Sequence, residues 1–478
     1  MYEDYGLFID GKWRPATDGA TTDVLSPVTE QAIGKAPSAS AADTQAALDA
    51  AERGLATWRK LPAFDRADAL HRIADAMLAS AERAARIIST ETGRPLAQSQ
   101  REWVLSTDQF RWHAEEARRI YGRIVESRAP GGRFEVHHQP MGVVAAFTAW
   151  NFPAALPSRK IAPALAAGCS IIVRPSSQTP GSAMILFECL RAGNLPDGTV
   201  GLLIGSTANT YGPLMASKAV RKVSLTGSTR VGQQMIRDAA DTMKKVSMEL
   251  GGNAPCIIHD DADLDKALDI LVPTKFANCG QVCVTPDRFF VHESRHDDFV
   301  EGFVSRARKI VLGNGLDEGV TMGPLINARR LQEVESVVAE AVRDGATLAT
   351  GGKRASGFNA GHFYEPTVMT SVTDGMRVMA DENFGPVAAI TTFRSDDEVI
   401  ERANATDMGL AAYAFTTSQA RARQAVSELK SGMVGINSVA LAAAEAPFGG
   451  TGFSGMGREG GIEAIRDYLD TKMAQVAV

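Results

Sequence analysis

The sequence predicts an α/β fold of two wound domains, and three features carry that prediction. Short, almost continuously apolar runs such as Val143-Val-Ala-Ala-Phe-Thr-Ala-Trp150 read as strands buried on both faces of a parallel sheet. These runs alternate with helix-length segments, the pattern of an open wound sheet. After Gly251-Gly252 the same alternation begins again. A chain of 478 residues has room for two or three such domains.

In chain order, an apolar stretch over 6–14 turns at Asp10-Gly-Lys-Trp13 as a hairpin. Asp43 can cap a helix through about Trp58, and a second helix is predicted over 65–90, with Leu70, Ile73, Met77 and Ile87 near one stripe. Gly93-Arg-Pro95 ends it, and a further helix covers 97–121 with Arg118 and Arg119 near its end. Phe134–His138 reads as an exposed strand. From Val143 onward, strands 143–150, 170–173, 200–204 and 223–225 alternate with helices 154–167, 181–193, 208–217 and 230–240. The second cycle has strands 254–258, 288–291, 367–369, 387–393 and about 410–415. Its helices are 264–276, 296–311, 327–345, 396–404 and 418–429. A glycine-rich turn, 449–461, precedes a helix through about 468 and a last short strand. Strands 134–138 and 471–477 are edge liabilities, and pairing with another subunit is expected to satisfy them.

Composition narrows the function. Charged residues are 22% and hydrophobic residues 45% of the chain, a globular balance. The formal net charge of −6 disfavours a general polyanion binder, so no nucleic-acid partner is expected. Five cysteines in so long a chain do not form a disulfide scaffold. Cys279 and Cys283 lack the second cysteine pair or histidine cluster of a structural zinc site, so no metal is expected. Met1-Tyr-Glu-Asp-Tyr5 lacks a secretory pattern and no segment has the length of a membrane span; the expectation is a cytoplasmic protein with no membrane partner.

Candidate chemistry centres on Pro273-Thr-Lys-Phe-Ala-Asn-Cys-Gly-Gln-Val-Cys-Val-Thr-Pro286. Thiolate, carboxylate and amide donor together run covalent chemistry on a carbonyl. Cys283 stands beside the turn that Gly280 and Gln281 create, whereas Cys279 can equally pack inward; local sequence does not decide between them. Glu249, before Gly251-Gly252, is either an ordinary surface glutamate or a partly buried general base. Asn151 either caps the helix that follows or donates its amide to an oxyanion. Gly227-Ser-Thr-Arg-Val-Gly232 departs from the dinucleotide fingerprint, but a strand before it and a helix after it permit phosphate binding. Arg118 and Arg119 are either solvated or bind substrate.

Taken together, Ala149-Trp-Asn-Phe-Pro153, Thr226-Gly-Ser-Thr229, Met248-Glu-Leu-Gly-Gly252, Gly280-Gln-Val-Cys283, Glu382-Asn-Phe-Gly-Pro386, Pro447-Phe-Gly-Gly450 and Ser454-Gly-Met-Gly-Arg-Glu459 resemble the aldehyde dehydrogenase superfamily over almost the full length. The resemblance implies an aldehyde dehydrogenase-like fold: a nucleotide-binding domain (1–122 and 143–251), a catalytic domain (252–436), a β oligomerisation arm (123–142 and 458–478) and a substrate-tunnel loop (437–457). It implies Cys283 as nucleophile, Asn151 in the oxyanion hole and Glu249 activating water. Thr226, Gly227 and Ser228 would line the pyrophosphate site, and Glu382 and Phe384 would position nicotinamide. Trp150, Arg174, Ser176, Ser177 and Gly205 complete the implied cofactor set.

Ser177 stands where NAD-specific members place a glutamate, and Arg174 where many have lysine; NADP or NAD is expected. Val173–Pro180, Glu115–Gly122 and the tail resemble the succinate-semialdehyde dehydrogenase branch. There, Ala277 and Ala443 stand where an arginine and a serine are common, and the run Ala440–Ala444 makes the mouth less polar. Arg111, Arg118 or Arg119 would then have to meet a substrate carboxylate. A longer aliphatic or aromatic aldehyde is the alternative substrate, and transfer to coenzyme A or a noncatalytic binding role are further alternatives; Glu249 argues against the coenzyme A route. A homodimer or homotetramer is implied.

Overall fold

The computed structural model describes residue 2 and residues 4–477. An eight-stranded sheet forms the first half of the molecule. Its parallel centre runs Val200–Leu202, Ser170–Arg174, Val143–Phe147, Val220–Thr226, Lys245–Glu249. Numbered by sequence, that order is 3-2-1-4-5, so the winding reverses between Val143–Phe147 and Val220–Thr226. Ligands of open α/β sheets bind outside the carboxyl ends of the strands at such a reversal. Trp150-Asn151 follows one of these two strands and Gly227-Ser228 the other. The strand predicted over 143–150 ends at Phe147, with Ala149 and Trp150 half-buried in the loop beyond; Val143–Phe147 and 170–173 are buried throughout, because helices cover both faces.

A seven-stranded sheet forms the second half, in the order Thr347–Thr350, Thr367–Thr370, Val387–Phe393, Pro286–His292, Ala254–Ile258, Ala411–Phe415, Met433–Ile436. All its pairings are parallel except the first. It has its own apolar core, including Ile257, Phe289, Ile390 and Tyr413.

The third sheet corrects one expectation. The exposed strands at 134–138 and 471–477 do not wait for a second subunit: Gly132–Pro140 and Leu469–Ala477 pair antiparallel with each other along their whole length. Arg123–Glu126 adds a third strand, which leaves its own outer edge and that of Leu469–Ala477 open in the single chain. This small sheet is the oligomerisation arm of the fold.

Local chemistry explains other differences. Ser40, not Asp43, is the N-cap of helix Ala41–Trp58; Asp43 closes the reciprocal half of a capping box with it. The segment predicted as one helix over 65–90 is two, Ala63–Ala79 and Ala81–Thr92, because the chain leaves helical geometry at Ser80 (φ −96°, ψ 4°). Helix Leu96–Ala117 stops before Arg118 rather than reaching 121. Asp10-Gly11 forms the hairpin turn as read, both residues having the positive φ that such a turn requires. Among the described residues, no helix is long and apolar enough to cross a membrane, and no group of three or more His, Cys, Asp or Glu side chains is placed to hold a metal ion.

Candidate active site

Four segments converge at the reversal of the first sheet. The cysteine loop enters from the helix Leu264–Phe276, which tolerates Pro273 in its interior. Asn278 and Cys279 then adopt left-handed backbone (φ 48° and 56°), followed by Gly280 at 71°. Two consecutive non-glycine residues in this region are costly and persist only where surrounding bonds hold them. The Gln281 side chain supplies several: Nε2 donates to the Asn278 carbonyl at 2.8 Å, and Oε1 accepts from the Ile326 amide at 2.9 Å. The result separates the two cysteines. Cys279 is sealed in the second core, and burial pushes its thiol far up. Cys283 is half-buried, the one of the five cysteines with an open side.

Asn151 lies on the loop after strand Val143–Phe147, 4% exposed. Its Nδ2 donates to the Gln281 carbonyl at 3.2 Å. A carboxamide nitrogen has two hydrogens, so this bond to the cysteine loop, two residues before Cys283, orients the group and leaves the second hydrogen available.

Glu249 ends strand Lys245–Glu249, in register with Thr226, and its carbonyl accepts from the Gly227 amide at 3.0 Å. The carboxylate and the phosphate-loop candidate are therefore neighbours by sheet pairing. Gly251 and Gly252 are needed for close approach: a Cβ on Gly252 would sit 2.5 Å from the Cys283 carbonyl, and one on Gly251 2.5 Å from Glu382 Oε2. The Glu249 side chain is buried and Oε2 has no partner. Burial first, then the nearby Glu459 carboxylate, holds its pKa well above the usual carboxylate range. The Cys283 thiol is pushed up to about 12 by burial and by the charges of Glu382 and Glu249, against the lowering field of Arg159.

Sequence reasoning missed the cations of this site. Helix Ala155–Ala167 is buried almost throughout, yet carries Arg159 and Lys160. Lys160 Nζ pairs with Glu459 at 2.5 Å and donates to Ser224 Oγ at 3.0 Å. Arg159 donates from Nη2 to the Ala442 carbonyl at 3.1 Å and lies over the Phe448 ring at 4.6 Å. Its Nη1 is buried without a partner. Burial lowers its pKa, opposed by the fields of Glu459, Glu249 and Cys283. A signal existed: two adjacent charges inside an apolar helix, Ala155-Leu-Pro-Ser-Arg-Lys-Ile-Ala162, must meet buried partners.

The other substrate candidates are distributed differently. Arg118 pairs with Glu115 and Arg119 with Glu116 at 2.8 Å, and Arg111 is exposed beside Asp108. The structure therefore engages all three at the surface with acids of their own helix. Ala443 lies in the run whose Ala442 carbonyl accepts from Arg159, and Ala277 is half-buried next to Asn278.

The cofactor candidates form a second group. Ser228 is the N-cap of helix Thr229–Ala240, but its side chain makes no capping bond, so first-turn N–H groups remain for an anion. Thr226 Oγ1 is buried without a partner. Arg174 Nη2 donates to the Gly205 carbonyl at 2.9 Å, while Nε is unpartnered. Ser176 Oγ accepts from the Gln178 amide, and Ser177 is exposed. Trp150 and Phe384 stand edge to face at 5.6 Å. Glu382 accepts from the Gly252 amide at 3.1 Å, and burial raises its pKa to about 8. Orphaned donors and an open helix terminus fit a dinucleotide.

The model of the aldehyde dehydrogenase family matches residues 13–474. The chain belongs to the aldehyde dehydrogenase family. It is similar to glutarate-semialdehyde dehydrogenase of Pseudomonas putida (41% identical over 471 residues, 98% of this chain and 97% of the relative). It is equally similar to the succinate-semialdehyde dehydrogenase (NADP(+)) of Escherichia coli, 41% identical over 464 residues, 97% and 96% of the two chains. The solved succinate-semialdehyde dehydrogenase of Burkholderia pseudomallei superposes with a TM-score of 0.97 at 41% identity, covering 99% of this chain and 98% of that one. This aldehyde dehydrogenase thus oxidises aldehydes with NAD or NADP by the cysteine chemistry of its family.

Proposed function

We propose that the protein oxidises a short aldehyde with an anionic far end, a semialdehyde, and that Cys283, Asn151 and Glu249 carry the chemistry. The single observation that supports the substrate class is Arg159: a buried guanidinium with one unpartnered nitrogen, within the electrostatic reach of Cys283 and Glu249. A buried donor without a partner is costly unless something completes it, and a planar guanidinium suits a carboxylate.

Cys283 reacts as the thiolate, its proton passing to solvent, and Glu249 is kept for the later hydrolysis, its raised pKa suiting it to take a proton from water. The thiolate attacks the aldehyde carbon. The free hydrogen of Asn151 Nδ2 and the Cys283 main-chain N–H stabilise the oxyanion of the thiohemiacetal. A bound nicotinamide supplies the acceptor for the hydride. Trp150, Glu382 and Phe384 would hold the nicotinamide end of that group, and Thr226, Gly227, Ser228, Arg174 and Gly205 the rest of the dinucleotide. The Cys283 thioester is then hydrolysed by water that Glu249 deprotonates. Lys160, between Ser224 and Glu459, keeps a cation near the two carboxylates as Glu249 gains and loses its proton. NADP is accepted at least as well as NAD, because the exposed Ser177 places no carboxylate against a 2′-phosphate. The working form is a homodimer or homotetramer built through the arm, and the compartment is the cytoplasm, where five free cysteines stay reduced.

A second reading keeps the chemistry and changes the substrate. The apolar run Ala440–Ala444, with Ala277, would make the mouth of the site less polar, which favours an uncharged longer or aromatic aldehyde. Initial rates for succinate semialdehyde, glutarate semialdehyde, hexanal and benzaldehyde, each with NAD and NADP, separate the two. The proposal expects the semialdehydes to lead in kcat/KM; hexanal or benzaldehyde leading would overturn it.

A further inference from the structure

We propose that Arg94 is a positioning residue for the Asn151 carboxamide, acting through the main chain without touching substrate. The inference rests on Asn151 acting as the oxyanion donor. Arg94 is 1% exposed, with two guanidinium nitrogens hydrogen-bonded and the third against a carboxylate. Nε donates to Ser99 Oγ at 3.1 Å, Nη1 donates to the Asn151 carbonyl at 3.2 Å, and the third nitrogen pairs with Glu102. Glu102 in turn accepts from the Ala154 and Ala155 amides through Oε1, each at 2.8 Å. One buried ion pair therefore grips the Asn151 loop at two points: the cation on the Asn151 carbonyl, the carboxylate on the amides where the next helix begins.

The same carbonyl is tied to the cysteine loop. Asn278 Nδ2 donates to the Asn151 carbonyl at 3.1 Å and to the Gln281 carbonyl at 3.2 Å. That Gln281 carbonyl is also the acceptor that orients the Asn151 side chain. Gln98, one turn beyond Arg94, accepts from the Asn278 amide at 3.0 Å. Residues 94–102 thus contact both the loop that carries Asn151 and the loop that carries Cys283. An oxyanion donor works only if it is fixed before the charge forms, and a small displacement is expensive in rate. An ordinary buried ion pair would hold the fold equally well without meeting the carbonyl of the residue that donates. Lysine keeps the charge and the pairing with Glu102 but cannot reach three partners from one planar fork.

The test measures Arg94→Lys alone and on an Asn151→Ala background, with melting temperature and NADP affinity recorded for each. Arg94→Lys should lower kcat by about 10- to 100-fold, with KM and NADP affinity little changed. On the Asn151→Ala background the same change should cost less than about 2-fold, since the group it positions is gone. Equal losses on both backgrounds, or a wild-type kcat in folded Arg94→Lys, would overturn the proposal. If Asn151→Ala itself keeps wild-type kcat, the oxyanion assignment falls instead, a separate outcome. Should Arg94→Lys not fold, Glu102→Gln loosens the same guanidinium while keeping an acceptor for Ala154 and Ala155, and it is read in the same way.

Discussion

Two packed helices carry arginines to different ends. On Leu96–Ala117 and its C-cap, Arg111, Arg118 and Arg119 face solvent and each sits beside an acid of its own helix. On Ala155–Ala167, Arg159 and Lys160 are buried, and Arg159 keeps a nitrogen unmatched. The cysteines repeat the contrast: Cys279 is sealed, while Cys283, on the same loop, is partly open. Reactivity in this protein follows from where a group is left incomplete. Residue type alone does not separate the buried arginine from the exposed pair.

The sharpest way to break this contrast is at the cysteines. Cys283→Ala should abolish aldehyde oxidation, and Cys279→Ala should retain substantial activity in the same NADP-reduction assay. Glu249→Gln should come next. It removes the base for hydrolysis, so kcat should fall by about 10²- to 10⁴-fold after a first turnover that stalls at the thioester. The pH profile carries the sign: Glu249 works deprotonated and its pKa is raised, so the hydrolysis rate should rise with pH through a midpoint well above 4.5 and lose that midpoint in the Gln variant. Arg159→Met should cost about 10- to 100-fold in kcat/KM for a semialdehyde, the size of one lost charge-assisted bond, and much less for an uncharged aldehyde of similar length. Arg118→Ala should change kcat/KM by less than about 2-fold, because a half-exposed ion pair contributes little. A larger effect there than at Arg159 would reverse the comparison.

Much of the fold was legible because a parallel sheet demands unbroken apolar strands, and Val143–Phe147, Ala254–Ile258 and Ala411–Phe415 satisfy that demand in plain sequence. Ser80 was not legible as a helix break, since the residues on both sides of it favour helix. The partner choice of Gly132–Pro140 was equally hidden: an exposed strand shows its need for a neighbour without showing which neighbour meets it. In the site, the motif residues declared themselves through glycines that permit close approach, notably Gly251 and Gly252. Arg159, Lys160, Arg94 and Asn278 stand in no glycine-rich phrase. Their roles depend on which way a helix or turn faces, and that is settled only when the Asn151 and Cys283 loops meet.

The most direct measurement is intact-protein mass spectrometry of Glu249→Gln after mixing with NADP and succinate semialdehyde, followed by peptide mapping. The covalent account predicts one acyl group per chain, held as a thioester on the peptide containing Cys283. An acyl group on Cys279, or no mass increase while NADPH is formed, would contradict it.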